Sequence, residues 1–394
     1  MLGRGREPEP AVEESPPDFH GLRPPEKPRK VVAFDIQLDP LQNPRRREDE
    51  EVAPDLTAPL SDEILLRIFS HLPSPLQVSA GLVCKKWLRL LGRLRRSLTL
   101  LDWSFLDSPS RRLVARFPDL TDVDLVPASI TPPVVTSGIL LSRGHISVQL
   151  DSDFESSEDS SPDLVSDGRF LPPETMDRGL DILSGSCPSL RKLSMVAVAS
   201  DRGLMNVADN CPTLLELDLH WCTDSSLSPI SAFSNLQILK VIGCVEGLFR
   251  GSGITDIGLT ILAHSCKRLV KLDLIGCEGS YDGISAIGRC CLMLEELTLC
   301  DHRMDAGWIA GLSFCGNLKT LRLIHCRIID KDPGPVEHLG SCAAIEHLHL
   351  QRCQLRDKRS LNALFFVCEA VKDIVFHDCW GLDDDIFGTA SLCR

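Results

Sequence analysis

Residues 266–277 read CKRLVKLDLIGC, and the same twelve-residue figure returns at 211–222 (CPTLLELDLHWC), 315–326 (CGNLKTLRLIHC), 342–353 (CAAIEHLHLQRC) and 368–379 (CEAVKDIVFHDC). Each figure opens and closes on Cys and holds apolar residues at its fourth, seventh and ninth places. Looser copies are centred on Leu190, Leu236 and Leu294, so the fourth place runs Leu190, Leu214, Leu236, Leu269, Leu294, Leu318, Ile345 and Val371. A period of 22 to 33 residues marks a solenoid, in which each unit buries its apolar side only against its neighbours. The pairs three and five places further on, from Leu193/Met195 to Ile374/Phe376, alternate as a short strand does with one face turned inward.

The cysteines belong to this repeat. Thirteen of the 17 lie either three places before or eight places after the aligned position. The two Cys of one figure are eleven residues apart and bracket a strand, and at about 3.3 Å per residue that puts them beyond disulfide reach. They read as buried thiols that fill space and donate weakly, in a reducing compartment. The chain holds no Cys-x-x-Cys; Cys290, Cys291, Cys300 and His302 form a local cluster, but zinc is not expected there. A catalytic thiol would have to be Cys84, Cys290, Cys300 or Cys393, none of which has a supporting catalytic domain in the sequence.

Upstream of several figures stands Asp-x-Gly: Asp177-Arg178-Gly179, Asp201-Arg202-Gly203, Asp256-Ile257-Gly258 and Asp305-Ala306-Gly307. Asp is expected to cap a short helix there, with Leu180/Leu183, Leu204/Val207, Leu259/Leu262 and Trp308/Leu312 facing inward. The unit is helix, turn, strand, turn. Strands stack about 4.8 Å apart and helices about 10 Å, so the stack should curve into a horseshoe with its parallel sheet inside. It is assigned to 175–394, with a capping repeat at 98–125.

Ahead of it, Leu60, Ile64, Leu65, Ile68, Phe69 and Leu72 fall at helical steps, Ser61 or Asp62 can cap and Pro73 stops the helix. Two further apolar stretches, around Leu76–Val83 and Trp87–Leu91, complete a three-helix module at 56–97. So small a unit with apolar residues on several faces should finish its core on a partner. Between Leu56 and Leu100 seven Lys/Arg stand against two Asp/Glu, net +5 within a chain of net charge −13. Residues 1–55 hold ten of the 26 Pro and read as a disordered tail, in which Arg29-Lys30 and Arg45–Arg47 are short basic clusters among acids. Residues 126–174 read as an irregular insertion, where 151–163 packs six acids and five Ser into a solvated loop. No secretory leader and no membrane span are expected, and the negative balance disfavours nucleic acid.

From Leu60-Ser61-Asp62-Glu63-Ile64-Leu65 to Val83-Cys84-Lys85-Lys86-Trp87 the module resembles an F-box, and the array behind it resembles the cysteine-containing leucine-rich repeats of plant-type F-box/LRR proteins. Ser61 departs from the family by standing where Pro is usual. The resemblance implies an α+β chain: a three-helix F-box, then an α/β leucine-rich-repeat solenoid. It implies the substrate-recognition subunit of an SCF-type ubiquitin ligase, without catalysis or cofactor of its own. The F-box would bind a Skp-family adaptor, and through it a cullin and a RING subunit, using Leu60, Ile64, Leu65, Ile68, Phe69, Leu76, Val83 and Trp87, with Lys85, Lys86 and Arg89 steering. The concave face would hold a protein substrate for degradation. Its outward strand positions include Lys192, Glu216, Asp218, His220, Lys271, Asp273, Glu296, Arg322, His347, His349, Asp373 and His377, besides Ser194, Thr298, Thr320 and Gln351. Such a protein works in the cytoplasm and/or nucleus. The alternatives are a non-ligase interaction scaffold and a small-molecule-gated receptor, for which the loop 245–253 would be the overhanging segment.

Overall fold

The computed structural model describes residues 57, 59–107, 116–130, 139–143, 146–150, 170–197, 201–243, 253–335 and 339–381. The expected tail at 1–55, the acidic run 151–163 and the loop 245–252 lie outside the described residues, as do Cys244 and Cys393. All elements from Pro59 onward belong to one compact unit.

Three helices come first: α1 (Asp62–Ser70), α2 (Ser74–Gly81) and α3 (Lys85–Leu94). Ser61 caps α1, its hydroxyl accepting from Ile64 N at 3.3 Å. The residue that departs from the F-box pattern thus satisfies a free amide at the helix start. Cys84 does the same for α3 through Sγ, 3.5 Å from Trp87 N. Leu65, Phe69, Ala80, Leu90 and Leu91 form the module's own small core, with Trp87 edge-on to Phe69 at 4.9 Å.

Two residues after α3 the chain enters a ten-stranded parallel sheet. Its strands are β1 (Ser97–Thr99), β2 (Asp122–Asp124), β5 (Lys192–Val196), β6 (Glu216–His220), β7 (Ile238–Ile242), β8 (Lys271–Ile275), β9 (Glu296–Cys300), β10 (Thr320–Ile324), β11 (His347–Gln351) and β12 (Asp373–His377), paired in that order. A separate antiparallel hairpin joins β3 (Ile139–Arg143) to β4 (Ile146–Leu150). Pairing is in register throughout, so Leu217, Leu239, Leu272, Leu297, Leu321 and Leu348 stand side by side and all are buried. Against them pack Leu180, Leu183, Leu204, Val207, Leu259, Leu262, Trp308 and Leu312 from the helical halves of the repeats. Eight strands stand where the repeat placed them, and the α/β leucine-rich-repeat solenoid is observed.

Three features differ from expectation. The array starts at β1, directly out of α3, because Arg96 O accepts from both Thr121 N and Asp122 N and so locks the first strand to the second. Residues 126–130 are part of the core rather than of an irregular insertion: Val126, Ala128 and Ser129 are buried, and Phe170 bridges back to Ile130. Lastly, Asp256 does not cap its own helix. Thr255 caps the helix Asp256–Ser265, while Asp256 reaches across to the following repeat, accepting from Ser280 N and Gly283 N through Oδ1 and from the Ser280 hydroxyl through Oδ2. Asp224 treats Thr255 and Gly258 in the same way.

The thiols form two ladders of comparable kind. Cys326 Sγ donates to Leu299 O, Cys353 Sγ to Leu323 O and Cys379 Sγ to Leu350 O, each a carbonyl of the preceding repeat. In the other register Cys211 reaches Cys187 O, Cys291 reaches Cys266 O and Cys342 reaches Cys315 O. A thiol is small enough for the core and still gives a buried carbonyl a weak donor. Burial pushes the Cys266, Cys291 and Cys315 thiols up to about 12, so they stay protonated.

Candidate functional site

Two surfaces could serve a partner. The first lies on the helical module. Leu65 and Phe69, proposed as adaptor contacts, are each 1% exposed and belong to the module's interior; Leu60 and Trp87 are partly buried against it. The i, i+4 spacing that buries Leu65 and Phe69 on one side of α1 turns Ile64 and Ile68 to the other, where both are about half exposed. Leu76 and Val83 are exposed too, joined by Val78 and Leu82, which the sequence reading did not select. Six open aliphatic side chains within residues 64–83 are far from ordinary for so small a unit. Of the basic residues, Lys86 and Arg89 are both held by Asp62, at 3.5 and 3.2 Å, while Lys85 is exposed.

The second surface is the sheet face turned away from the helices. In-register pairing lines its side chains into three rows. The first runs Asp122, Lys192, Glu216, Ile238, Lys271, Glu296, Thr320, His347, Asp373; the second Asp124, Ser194, Asp218, Lys240, Asp273, Thr298, Arg322, His349, Val375. The third runs Val196, His220, Ile242, Ile275, Cys300, Ile324, Gln351, His377. All twelve residues singled out from sequence lie on this face. His220 is a correction: at 3% exposure it is buried, with Trp221 beside it and Phe170 edge-on to Trp221 at 5.0 Å. Lys240, Ile275 and Ile324 were missed, although Ile275 and Ile324 stand two places after the outward Asp273 and Arg322 and so share their face.

The charges of the face are tied to one another. Lys192 pairs with Glu216, Lys240 with Asp218 at 3.6 Å, Lys271 with Asp273 and Glu296 at 3.9 and 3.7 Å, and Arg322 with Glu296 at 2.8 Å. The Arg322 hydrogen bond holds the Glu296 carboxyl below the usual range. Burial opposes ionisation of Asp218, but His220, Lys240 and Lys192 outweigh it and hold that carboxyl low as well. Desolvation, with Arg322 and His347 nearby, lowers His349. Cys300 stays a neutral thiol, pushed up to about 12 by burial. Among the described residues no group of three His, Cys, Asp or Glu converges as a metal ion would require, and no helix is long and apolar enough to cross a membrane.

With this geometry in hand the architecture has a class: a small three-helix module continued directly into a leucine-rich-repeat solenoid. Residues 62–100 match the F-box-like family, so the chain joins an F-box-like domain to leucine-rich repeats, as the sequence motifs implied. It is similar to the F-box protein SKIP19 of Arabidopsis thaliana, 31% identical over 121 residues, which are 30% of this chain and 37% of that plant protein. Among solved structures it is similar to the leucine-rich repeat-containing protein LegL7 of Legionella pneumophila (13% identity, TM-score 0.40, 85% of this chain and 95% of that one). Another is an internalin, InlF, of Listeria monocytogenes (13% identity, TM-score 0.31, 54% and 68%).

Proposed function

We propose that the chain is the non-catalytic substrate-recognition subunit of an SCF-type ubiquitin ligase. The observation that supports this most is the row of exposed aliphatics, Ile64, Ile68, Leu76, Val78, Leu82 and Val83, inside the segment that matches the F-box-like family. This face binds a Skp-family adaptor, which brings a cullin and a RING subunit; the open sheet face holds the protein to be modified. The chain then acts by approximation, fixing a substrate lysine near an activated thioester and so raising its effective concentration. Fifteen free cysteines among the described residues fit a reducing location, cytoplasm and/or nucleus.

Ile64→Asp with Ile68→Asp should abolish co-purification of the adaptor while leaving circular dichroism and the melting curve unchanged, since neither side chain belongs to the module core. Adaptor binding that survives both substitutions refutes the assignment. In cells, blocking the proteasome should make a protein accumulate on the wild-type chain and on the double variant alike, with cullin present only on the wild type.

A further inference from the structure

We propose that the β2 end of the open face, around Asp122 and Asp124, seats a Lys or Arg side chain of the substrate protein. This deepens the reading of the chain as a substrate receptor and rests on it.

Elsewhere on the face each acid of the first two rows has a basic partner. On β8 to β10 Lys271 and Arg322 are paired with Asp273 and Glu296. On β5 to β7 Lys192 is bonded to Glu216, and Lys240 lies 3.6 Å from Asp218. On β12 Asp373 has His347 at 3.0 Å. Asp122 and Asp124 are left over. Among the described residues their partners are neutral: Asp122 accepts from the Thr121 hydroxyl at 2.8 Å and Asp124 from Val126 N at 3.0 Å. Lys192, the base opposite Asp122 in the register, is taken by Glu216.

The difference shows in the carboxyls themselves. Cations hold Asp218 and Glu296 low, whereas burial pushes the half-buried Asp124 up. A carboxylate partly withdrawn from water gains most from a counter-charge brought to it. His220, within electrostatic reach of Asp124, also lacks a donor. It is buried with Nε2 3.2 Å from Asp218 Oδ1, and its Nδ1 is shut from solvent without a hydrogen-bond partner. A neutral ring that donates through Nε2 can only accept at Nδ1, so this corner is short of N–H groups as well as of positive charge.

Access is from the end of the sheet. Beyond β2 lies only β1, whose Ser97 and Thr99 stand beside Asp122 and Asp124 in the register and are exposed and uncharged. A partner's ammonium or guanidinium therefore meets hydroxyls and carboxylates there, while an acidic segment meets two unneutralised charges of its own sign.

The test is selection of a random dodecapeptide display library on the full chain bound to its adaptor. Enriched peptides should carry Lys or Arg. A synthetic peptide from that set should bind at least tenfold more weakly to Asp122→Asn/Asp124→Asn, in which the amide oxygen can still accept from Val126 N, and this difference should shrink in high salt. Asp373→Asn makes a like change of charge about 40 Å away along the sheet and should leave binding unchanged. Circular dichroism and adaptor co-purification should be unaffected in both variants. Enrichment of acidic or uncharged peptides, undiminished binding to the double variant, or equal weakening by Asp373→Asn overturns the proposal and leaves the receptor reading intact. Binding that appears only after Arg45, Arg46 and Arg47 are replaced by Ala also overturns it, by making the chain's own tail the occupant. A wild-type chain that captures no adaptor would instead refute the receptor reading, and the proposal with it.

Discussion

Gly258 and Gly283 lack a side chain because a carboxylate occupies the place where one would go. A Cβ on Gly258 would lie 2.3 Å from Asp224 Oδ1, and one on Gly283 would lie 2.5 Å from Asp256 Oδ1. A Cβ on Gly203 would likewise lie 2.3 Å from Asp177 Oδ1, so at three joints Asp of one unit lies at the helix start of another and Gly clears its seat, whereas a Cβ on Gly179 would meet Trp103 and one on Gly307 would meet nothing. Gly258→Ala should cost about 1–3 kcal/mol in urea unfolding, because either the carboxylate or the helix must move. Asp256→Ala, which strips donors at Ser280 and Gly283 of their acceptor, should cost about 2–4 kcal/mol, and Asp256→Asn less, since an amide oxygen still accepts. His302 is a different kind of residue. It occupies the place where its neighbours in the register have Cys277 and Cys326, with its ring 5.4 Å from that of Trp308 and its Nε2 shut from solvent without a partner. Desolvation lowers its pKa from 6.5 to about 4. A depressed histidine contributes stability that is complete above pH 6.5 and is lost as pH falls toward 4, by no more than about 3 kcal/mol. His302→Cys should flatten the pH dependence of unfolding in that window; an unchanged slope would show that other groups carry it.

Strands were the most legible elements, and the reason is periodicity. Eight copies of one alternation reinforce one another, so the inner positions of β5 to β12 could be read without any structure. β1 could not, since Ser97-Leu98-Thr99 is three residues long and outside the repeat. The helical halves were legible by their inward leucines but not by their type: Ser225–Ala232 is a 3₁₀ helix with Pro229 inside it, where loss of an amide donor disfavours the α form. In the three-helix module the spacing of apolar residues revealed α1, but spacing alone does not say which side of a helix meets its own core. That is why Leu65 and Phe69 stood beside Ile64 and Ile68 among the expected contacts. The same ambiguity gives a discriminating experiment. Leu65→Ala should destabilise the module by about 2–5 kcal/mol, visible as early loss of helical signal on heating, whereas Ile64→Ala should leave stability nearly unchanged and weaken adaptor capture.

Between the helical module and the sheet the chain has almost no slack. Only Arg95 and Arg96 separate α3 from β1, Arg96 is bonded to Thr121 and Asp122, and Gly92 sits so near residue 116 that a Cβ would lie 2.0 Å from Arg116 O. The exposed face of the helical module and the open face of the sheet are therefore held on one frame. Inserting a ten-residue Gly-Ser stretch after Leu94 should leave both binding steps measurable and reduce ubiquitin transfer to the captured substrate, because effective concentration falls as the tether loosens. Equal transfer by the lengthened chain would show that geometry is not what the frame contributes. The ladders of cysteine have a further use. Nearly every coil holds at least one sulfur that no alkylating reagent can touch until that coil opens, and their places along the sequence are known. Brief exposure to a maleimide followed by peptide mapping would date the opening of each turn, and the spring would keep its own logbook of how it unwinds.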